Sequence, residues 1–560
     1  MTDGSHLTRL TPDLLCRIAS FLHPNEVAAN LKLVNREISL ILRGGPYSVL
    51  QLCQHRSHRQ TTVTVAQNPW PGIDFVAHWG QPEPWQSLTL PQRRRLLCLA
   101  ASSQHAPSLD AALAHCRVPE PACVEVLEAA AAAGDVATCE RLLPLCLGVH
   151  NYSVELAALA AAQEGQIAVL ECFSAHGYAA DGSGLGAPAR AACYAGQAQA
   201  LAWLVQRYPL GRYDDGHAWD LATAAAEGGH ADLAHQLLAS HAQPAAAVAA
   251  SSVGIQKQRL QSLLAGLAFG CPLPAFERFH SYSPAGWSWV LDSATAAGAV
   301  LSSTMSSATL DWDRKLAWLQ ERCSRGACSS ASSNRGSADA DAGAGVPPVA
   351  LFGGPAGGIS VHIGWPVAAT RPDFAQRLRA LHAMGFTFSG MAAQEVAEAA
   401  ARQGNMEALI FALETLGGRV TTPVVSAAVS GGDLHVLQFL RQRGARFTPR
   451  DVITAAGYGR WAAAQWITDA AVEDSDYGGN DDMHEEVVWA RVLSHVARSG
   501  APLSLLQHLH SEAGAAVDCA AVAAGGSLNA ESGTWLDAWR AVPIRTDPGY
   551  VSGSPALALN

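Results

Sequence analysis

The sequence predicts an all-α chain in which short helical hairpins stack into a solenoid behind a small three-helix N-terminal domain. Three observations predict it. First, one template recurs along the chain: Ala, a small residue, two variable positions, Gly, then apolar residues on a helical stripe. Its Gly falls at 134, 165, 196, 229, 270, 298, 404, 432, 459, 500 and 525, and a period of this length marks stacked supersecondary units. Second, the clearest copy, Val424–Ala445, reads as an Ala-rich helix stopping at Gly431-Gly432 and a second helix stopping at Gly444. Leu434, Leu437 and Leu440, widened by Val436 and Phe439, leave that hairpin with an apolar face it cannot bury alone. Third, 560 residues with 49% apolar and 15% charged content exceed one compact core, and an elongated array needs none.

Taken in order, residues 9–46 stand outside the repeat. Pro12 sits at a helix start, with Leu14, Leu15, Ile18, Phe21 and Leu22 as a broad apolar face. Pro24 restarts a second helix holding Val27 and Leu31, and Leu33-Val34-Asn35-Arg36 leads into a third with Ile38, Ile41 and Leu42. This segment resembles an F-box, through Leu10, Pro12, Leu14, Leu15, Ile18, Phe21, Leu22, Pro24, Val27, Leu31, Val34, Asn35 and Arg36. Thr11 intervenes between the opening Leu and Pro, and the Trp common after the final Arg is absent. The resemblance implies docking onto a Skp-type adaptor of a cullin ubiquitin ligase. It makes Leu10, Pro12, Leu15, Ile18, Phe21, Leu22, Pro24 and Leu31 the adaptor-facing residues. The alternative reading is a helical cap shielding the first repeat.

Residues 47–117 form a connector in which Thr61–Val65 alternates like a strand and Pro91 restarts a helix. Residues 118–323 hold the first half of the array, its last clear unit split by a first helix ending at Gly298 and a second over Asp311–Leu319. Residues 324–366 are low-complexity and predict a disordered insertion. The array resumes over 367–540, beginning with a degenerate unit that has Pro372 where Gly is expected, and Glu473–Glu486 interrupts it as an acidic loop. Residues 541–560 read as a flexible tail.

The units resemble the second half of the ankyrin repeat, in A-A-A-A-G-D-V (Ala130–Val136), A-A-Q-E-G-Q-I (Ala161–Ile167) and A-A-R-Q-G-N-M-E-A-L (Ala400–Leu409). They depart from it in lacking the Thr-Pro-Leu-His opening in every copy, which puts the usual β-hairpin fingers in doubt. The resemblance implies protein binding.

Net charge is −11 with no long basic run, and this leads to the expectation of no nucleic-acid and no membrane partner. The N-terminus lacks the apolar core of a signal peptide, no apolar run approaches a membrane span, and the thirteen cysteines fall singly. The expected compartment is therefore the cytoplasm, the nucleus or both.

Several constellations are weighed and set aside. Asp481 to Glu486 lacks the spacing of a calcium loop, and His55/His58 and His508/His510 lack a zinc helix pattern. Cys323 and Cys328 have no second pair, and Leu351–Gly358 lacks the Lys-Ser/Thr of a phosphate loop. Arg93–Arg95 read as a solvated helix face. The expectation is no enzyme, no catalytic residue, no cofactor and no metal. The function expected is an interaction adaptor: an F-box/ankyrin substrate receptor binding an unidentified protein client, or alternatively a scaffold with no ligase role.

Overall fold

A computed structural model describes residues 11–22, 24–29, 31–34, 36–43, 52–55, 64–86, 88–116, 123–147, 151–177, 186–207, 215–241, 253–282, 294–321, 364–386, 388–475, 482–517 and 532–535. Of the expected insertion over 324–366, residues 324–363 lie outside them, as do the tail and Gly525, whereas Trp365 opens a helix over Trp365–Ala368 with its side chain buried. The chain divides into two compact units, one of Met1–Pro82 and Gln92–Ala445, the other of Glu83–Pro91 and Arg446–Asn560. Apart from one two-stranded antiparallel ribbon, the regular elements among the described residues are helices.

The first unit opens with α1 (Pro12–Ser20), α2 (Pro24–Ala29), a single 3₁₀ turn (Leu31–Leu33) and α3 (Arg36–Ile41). Thr11 starts α1 by accepting the Leu14 amide at 3.4 Å, and Pro12 occupies the first turn, where a missing N–H is harmless. Leu15, Ala19, Val27, Ile38 and Leu42 form a small core of their own, with Leu31 and Ile41 packed against it. Asn25, almost wholly buried, donates to the Pro69 carbonyl at 3.2 Å and ties α2 to the segment that follows.

The expected strand at Thr61–Val65 is observed at Thr64–Ala66, with 61–63 outside the described residues; it pairs with Cys53–His55, Ala66 opposite Cys53. Val65 packs on Ala132 and Ala160, and the Ala66 amide donates to Ser102 Oγ at 2.8 Å, so the ribbon docks on the first repeats.

The hairpins follow one plan. Ala-rich first helices, such as Cys123–Ala133, Asn151–Gln163, Gly186–Tyr194 and Asp215–Glu227, pack each against the next. Many of their alanines, Ala130, Ala161, Ala192 and Ala225 among them, are completely buried. Small side chains bring these helices close while costing little conformational entropy. Second helices bury larger groups: Leu142 and Leu143, Val169 and Phe173, Leu201 and Leu204, and Val436, Leu437 and Leu440. Leu434 and Phe439 stay half-buried at the edge. Exposed Arg–carboxylate pairs then link second helices of neighbouring units, Arg141 to Asp110 at 2.6 Å, Arg278 to Asp232 at 2.9 Å and Arg379 to Glu407 at 2.6 Å.

The turns at Gly134, Gly165, Gly196, Gly229 and Gly404 share one hydrogen bond, while at Gly432 the glycine amide donates to the Ala428 carbonyl at 2.8 Å. In the shared bond the amide after the glycine reaches back to a carbonyl five residues earlier, as in Gln166 to Ala161 (2.8 Å), Gln197 to Ala192 (2.8 Å) and His230 to Ala225 (2.8 Å). Such a closure needs a left-handed residue, and Gly134, Gly165, Gly196, Gly229 and Gly404 supply it with φ between +71° and +89°; Gly432 is left-handed too, at +78°. The glycines also answer to a steric demand. A Cβ on Gly134 would strike Gln166, one on Gly165 would lie 2.7 Å from Gln197 Oε1, and one on Gly404 would lie 2.9 Å from Asp433 Oδ2. In every case the intruder is the residue just after the next unit's glycine. Consecutive turns interlock.

Several features depart from the sequence expectation; Arg93, read as part of a solvated face, is buried and donates to the Cys116 carbonyl at 3.1 Å. Gly298 does not end a helix; Ala294–Met305 runs through it, and the turn comes at 306–311, with a helix over 312–321. Alanines around Gly298 sustain the helix, and this turn has no glycine to close it. Gly270 ends the helix Val253–Gly270 without a positive φ. The acidic interruption shrinks, because helices run to Ser475 and start again at Asp482.

One hairpin was invisible to the glycine template. Helices Leu90–Ala101 and Ala106–His115 flank Gln104, which takes φ +56° and donates through Nε2 to the Ala133 carbonyl at 2.7 Å.

Among its described residues the second unit contains two hairpins, Pro449–Gly457 with Trp461–Ser475 and Asp482–Arg498 with Leu503–Glu512, turning at Gly459 and Gly500. Their first helices pack together, as do their second helices. His508 meets Asp469 at 2.7 Å between the second helices, and Phe447 stacks edge-on against Trp466 at 5.3 Å.

Candidate interaction surface

The apolar residues of α1 fall on two stripes with opposite fates. Leu15 and Ala19, four apart, are buried against α2 and α3. Leu14, Ile18 and Phe21 occupy the adjacent stripe and are exposed, Phe21 by 81%, with Leu22 exposed beside them. Val34 and Leu40, on and just before α3, are exposed as well. Scattered surface leucines are ordinary, but a row of apolar side chains on one short helix is a feature of interaction sites. The helix cannot turn this row inward, because the Leu15–Ala19 stripe already fills the small core.

Six of the eight sequence-selected residues can be placed. Pro12, Ile18, Phe21 and Leu22 are exposed, Leu31 is half-buried against the core, and Leu15 lies within it at 2% exposure. Leu10 and the Pro24 side chain lie outside the described residues. Leu14, Val34 and Leu40 join the surface without having been selected; the i, i+4, i+7 spacing of Leu14, Ile18 and Phe21 was the signal for the first of them.

A second polar feature lies at the turn that lacks glycine. Lys315, completely buried, donates to the Ala268 carbonyl (2.9 Å), Ser307 Oγ (3.0 Å) and Thr309 Oγ1 (2.7 Å), with Asp311 at 3.8 Å. Burial pulls its ammonium down to about 8 despite the opposing pull of Asp311. From the unit after the insertion, Arg377 donates to the Met305 and Ser307 carbonyls at 2.9 and 3.0 Å, and Arg371 to Ser306 at 3.0 Å. Cationic side chains thus satisfy the carbonyls a glycine turn would have closed.

Burial also pushes the Glu128 carboxyl up to about 7, reinforced by Glu125. It raises the Cys98 and Cys193 thiols to about 12, which keeps them unreactive packing groups. Among the described residues no group of three metal-ligating side chains converges, and no helix is long and apolar enough to cross a membrane.

No family model matches the chain, and no curated protein matches it. Among solved structures it is similar to the pentatricopeptide repeat protein PPR10 from maize. Identity is 14% and the TM-score 0.27, over 96% of this chain and 77% of that one. The expectation of no nucleic-acid partner, drawn from the low basic charge, is withdrawn. The physical reason is that an elongated repeat surface can carry local basic positions whatever the net charge of the chain. At the level of fold, the chain is an all-α array of helical hairpin repeats.

Proposed function

We propose that the protein is a binding adaptor, an F-box/ankyrin substrate receptor of a cullin-type ubiquitin ligase. On this reading 9–46 is the adaptor-facing domain, and the repeats over 118–323 and 367–540 hold a protein client beside the ligase by raising its effective concentration. The observation that carries it is the exposed row Leu14, Ile18, Phe21 and Leu22 on a segment with a separate core. The ankyrin part of the reading is supported by the glycine turns and by Thr-Pro pairs opening two first helices, Thr422-Pro423 and Thr448-Pro449. These pairs retain half of the opening motif that is absent as a whole from the sequence.

The test is co-purification of the full chain with a Skp-type adaptor, repeated with Ile18→Asp, Phe21→Asp and Leu22→Asp. Capture by the wild type and its loss in each variant supports the reading. No capture, or capture indifferent to all three charges, removes it. A second reading, a scaffold whose N-terminal helices cap the array, is favoured by the Asn25–Pro69 bond, which fastens α2 to the following segment. It expects removal of residues 1–45 to lower the melting temperature of the array, which loss of an independent adaptor domain would not. Recovery of nuclease-sensitive RNA in place of protein would favour a nucleic-acid adaptor over both.

A further inference from the structure

We propose that the buried cluster around Lys315 and Arg377 is a proton-controlled clamp joining the repeat that ends at 321 to the repeat that begins at 364. The junctions at Gly134, Gly165, Gly196 and Gly404 seat a side chain of the next unit against a glycine. This one does not. It closes through Arg377 on the Met305 and Ser307 carbonyls, Arg371 on the Ser306 carbonyl, and the Gly364 amide on Ser302 Oγ at 2.7 Å. Arg377 also stacks over Trp312, its guanidinium 5.0 Å from the ring centre.

Two cations are therefore buried on one turn. Lys315 faces Asp311, Arg377 and Cys271; Arg377 is paired with Asp373 at 2.8 Å, and Cys271 feels Asp232 and Lys315. Only Lys315 can give up its proton near neutrality, since a guanidinium stays charged. Its deprotonation relieves the repulsion from Arg377, and the neutral amine still donates to two acceptors while a hydroxyl of Ser307 or Thr309 donates to its lone pair.

The direction follows from linkage. In the closed clamp burial holds Lys315 at about 8, whereas in an open, hydrated clamp it returns to about 10.4. The closed form binds fewer protons between these values, so closure strengthens as pH rises through 8 and weakens below it. Between pH 7 and pH 9 the open fraction falls about tenfold. Closure would change the register between the two halves of the array, and with it any surface that spans both.

The experiment is hydrogen exchange of the full chain at pH 7 and pH 9, each amide expressed as protection relative to its intrinsic rate at that pH. Peptides covering 300–316, including the Ala308 amide that donates to Phe269, are compared with the reference helix Thr422–Gly431. The expected result is about tenfold more protection at pH 9 in 300–316 and none in the reference. Lys315→Met should remove the pH step and keep the pH 9 level throughout, and Arg377→Gln should lower protection at both pH values. Should Lys315→Met misfold, Lys315→Arg serves instead, with a fixed charge and a flat profile. Equal protection at both pH values in the wild type, or the same rise in the reference helix, overturns the proposal.

Discussion

Gly404→Ala measures how much the interlock between successive turns contributes. Gly404 sits at φ +71°, where an L-residue costs about 1–2 kcal/mol. The new methyl group would also lie 2.9 Å from Asp433 Oδ2 and 3.3 Å from its Cβ. Asp433 caps the following helix by accepting the His435 and Val436 amides on Oδ1 at 2.9 and 3.2 Å. Pushing it aside loses a helix cap, worth about 1 kcal/mol. The expected total is about 2–3 kcal/mol. Gly444→Ala is the control: its φ of +89° imposes the same backbone strain, but nothing lies within 4 Å of the new methyl. It should cost only about 1–2 kcal/mol. Urea unfolding followed by circular dichroism gives the totals. Hydrogen exchange of the His435 and Val436 amides gives the local effect, about fivefold faster in Gly404→Ala, the equivalent of the lost cap. If both variants lose the same stability and the two cap amides keep their protection in Gly404→Ala, the glycine is a turn former only and the interlock contributes nothing.

Other outcomes follow from the same geometry. Leu15→Asp should unfold the N-terminal segment, with a cost above about 3 kcal/mol for an unpaired buried charge, whereas Phe21→Asp should leave its helicity unchanged; circular dichroism of residues 1–45 deletions against each variant reads both. Glu128→Gln should raise the melting temperature above pH 7 and change little below pH 5. The reason is that the folded protein binds a proton on Glu128 that the unfolded chain, at a lower carboxyl value, releases between about 4.5 and about 7. Cleavage at a protease site placed within 322–363 should leave the two fragments co-eluting in size-exclusion chromatography, because Arg371, Arg377 and Gly364 bind the far side directly; separation of the fragments would refute this continuity.

The repeated hairpin was legible in the sequence because its two strongest constraints are local. A left-handed residue after an alanine run calls for glycine, and one apolar stripe per second helix shows as a 3.6 period. Positions obeying neither rule escaped. Gln104 does a glycine's work with a side chain that bonds to the next unit, and Gly298 is an ordinary helical residue because no turn is required there. For the surface of α1, periodicity marked one broad apolar face but could not divide it.

By itself, then, the sequence determined the helical-hairpin class, the alanine and leucine faces, and the glycine turns at 134, 165, 196, 229, 404, 432, 459 and 500, since all of these depend on residues within one or two turns of each other. The tertiary structure alone decided that Leu15 is buried while Ile18 and Phe21 stay in solvent. It alone decided that Gln166, Gln197 and Asp433 fill hollows left by glycines about thirty residues away, and that Arg371 and Arg377 close a turn about seventy residues upstream. The reason is that which stripe meets a core, and which carbonyl a guanidinium reaches, is set by neighbours far along the chain, and no local period records them.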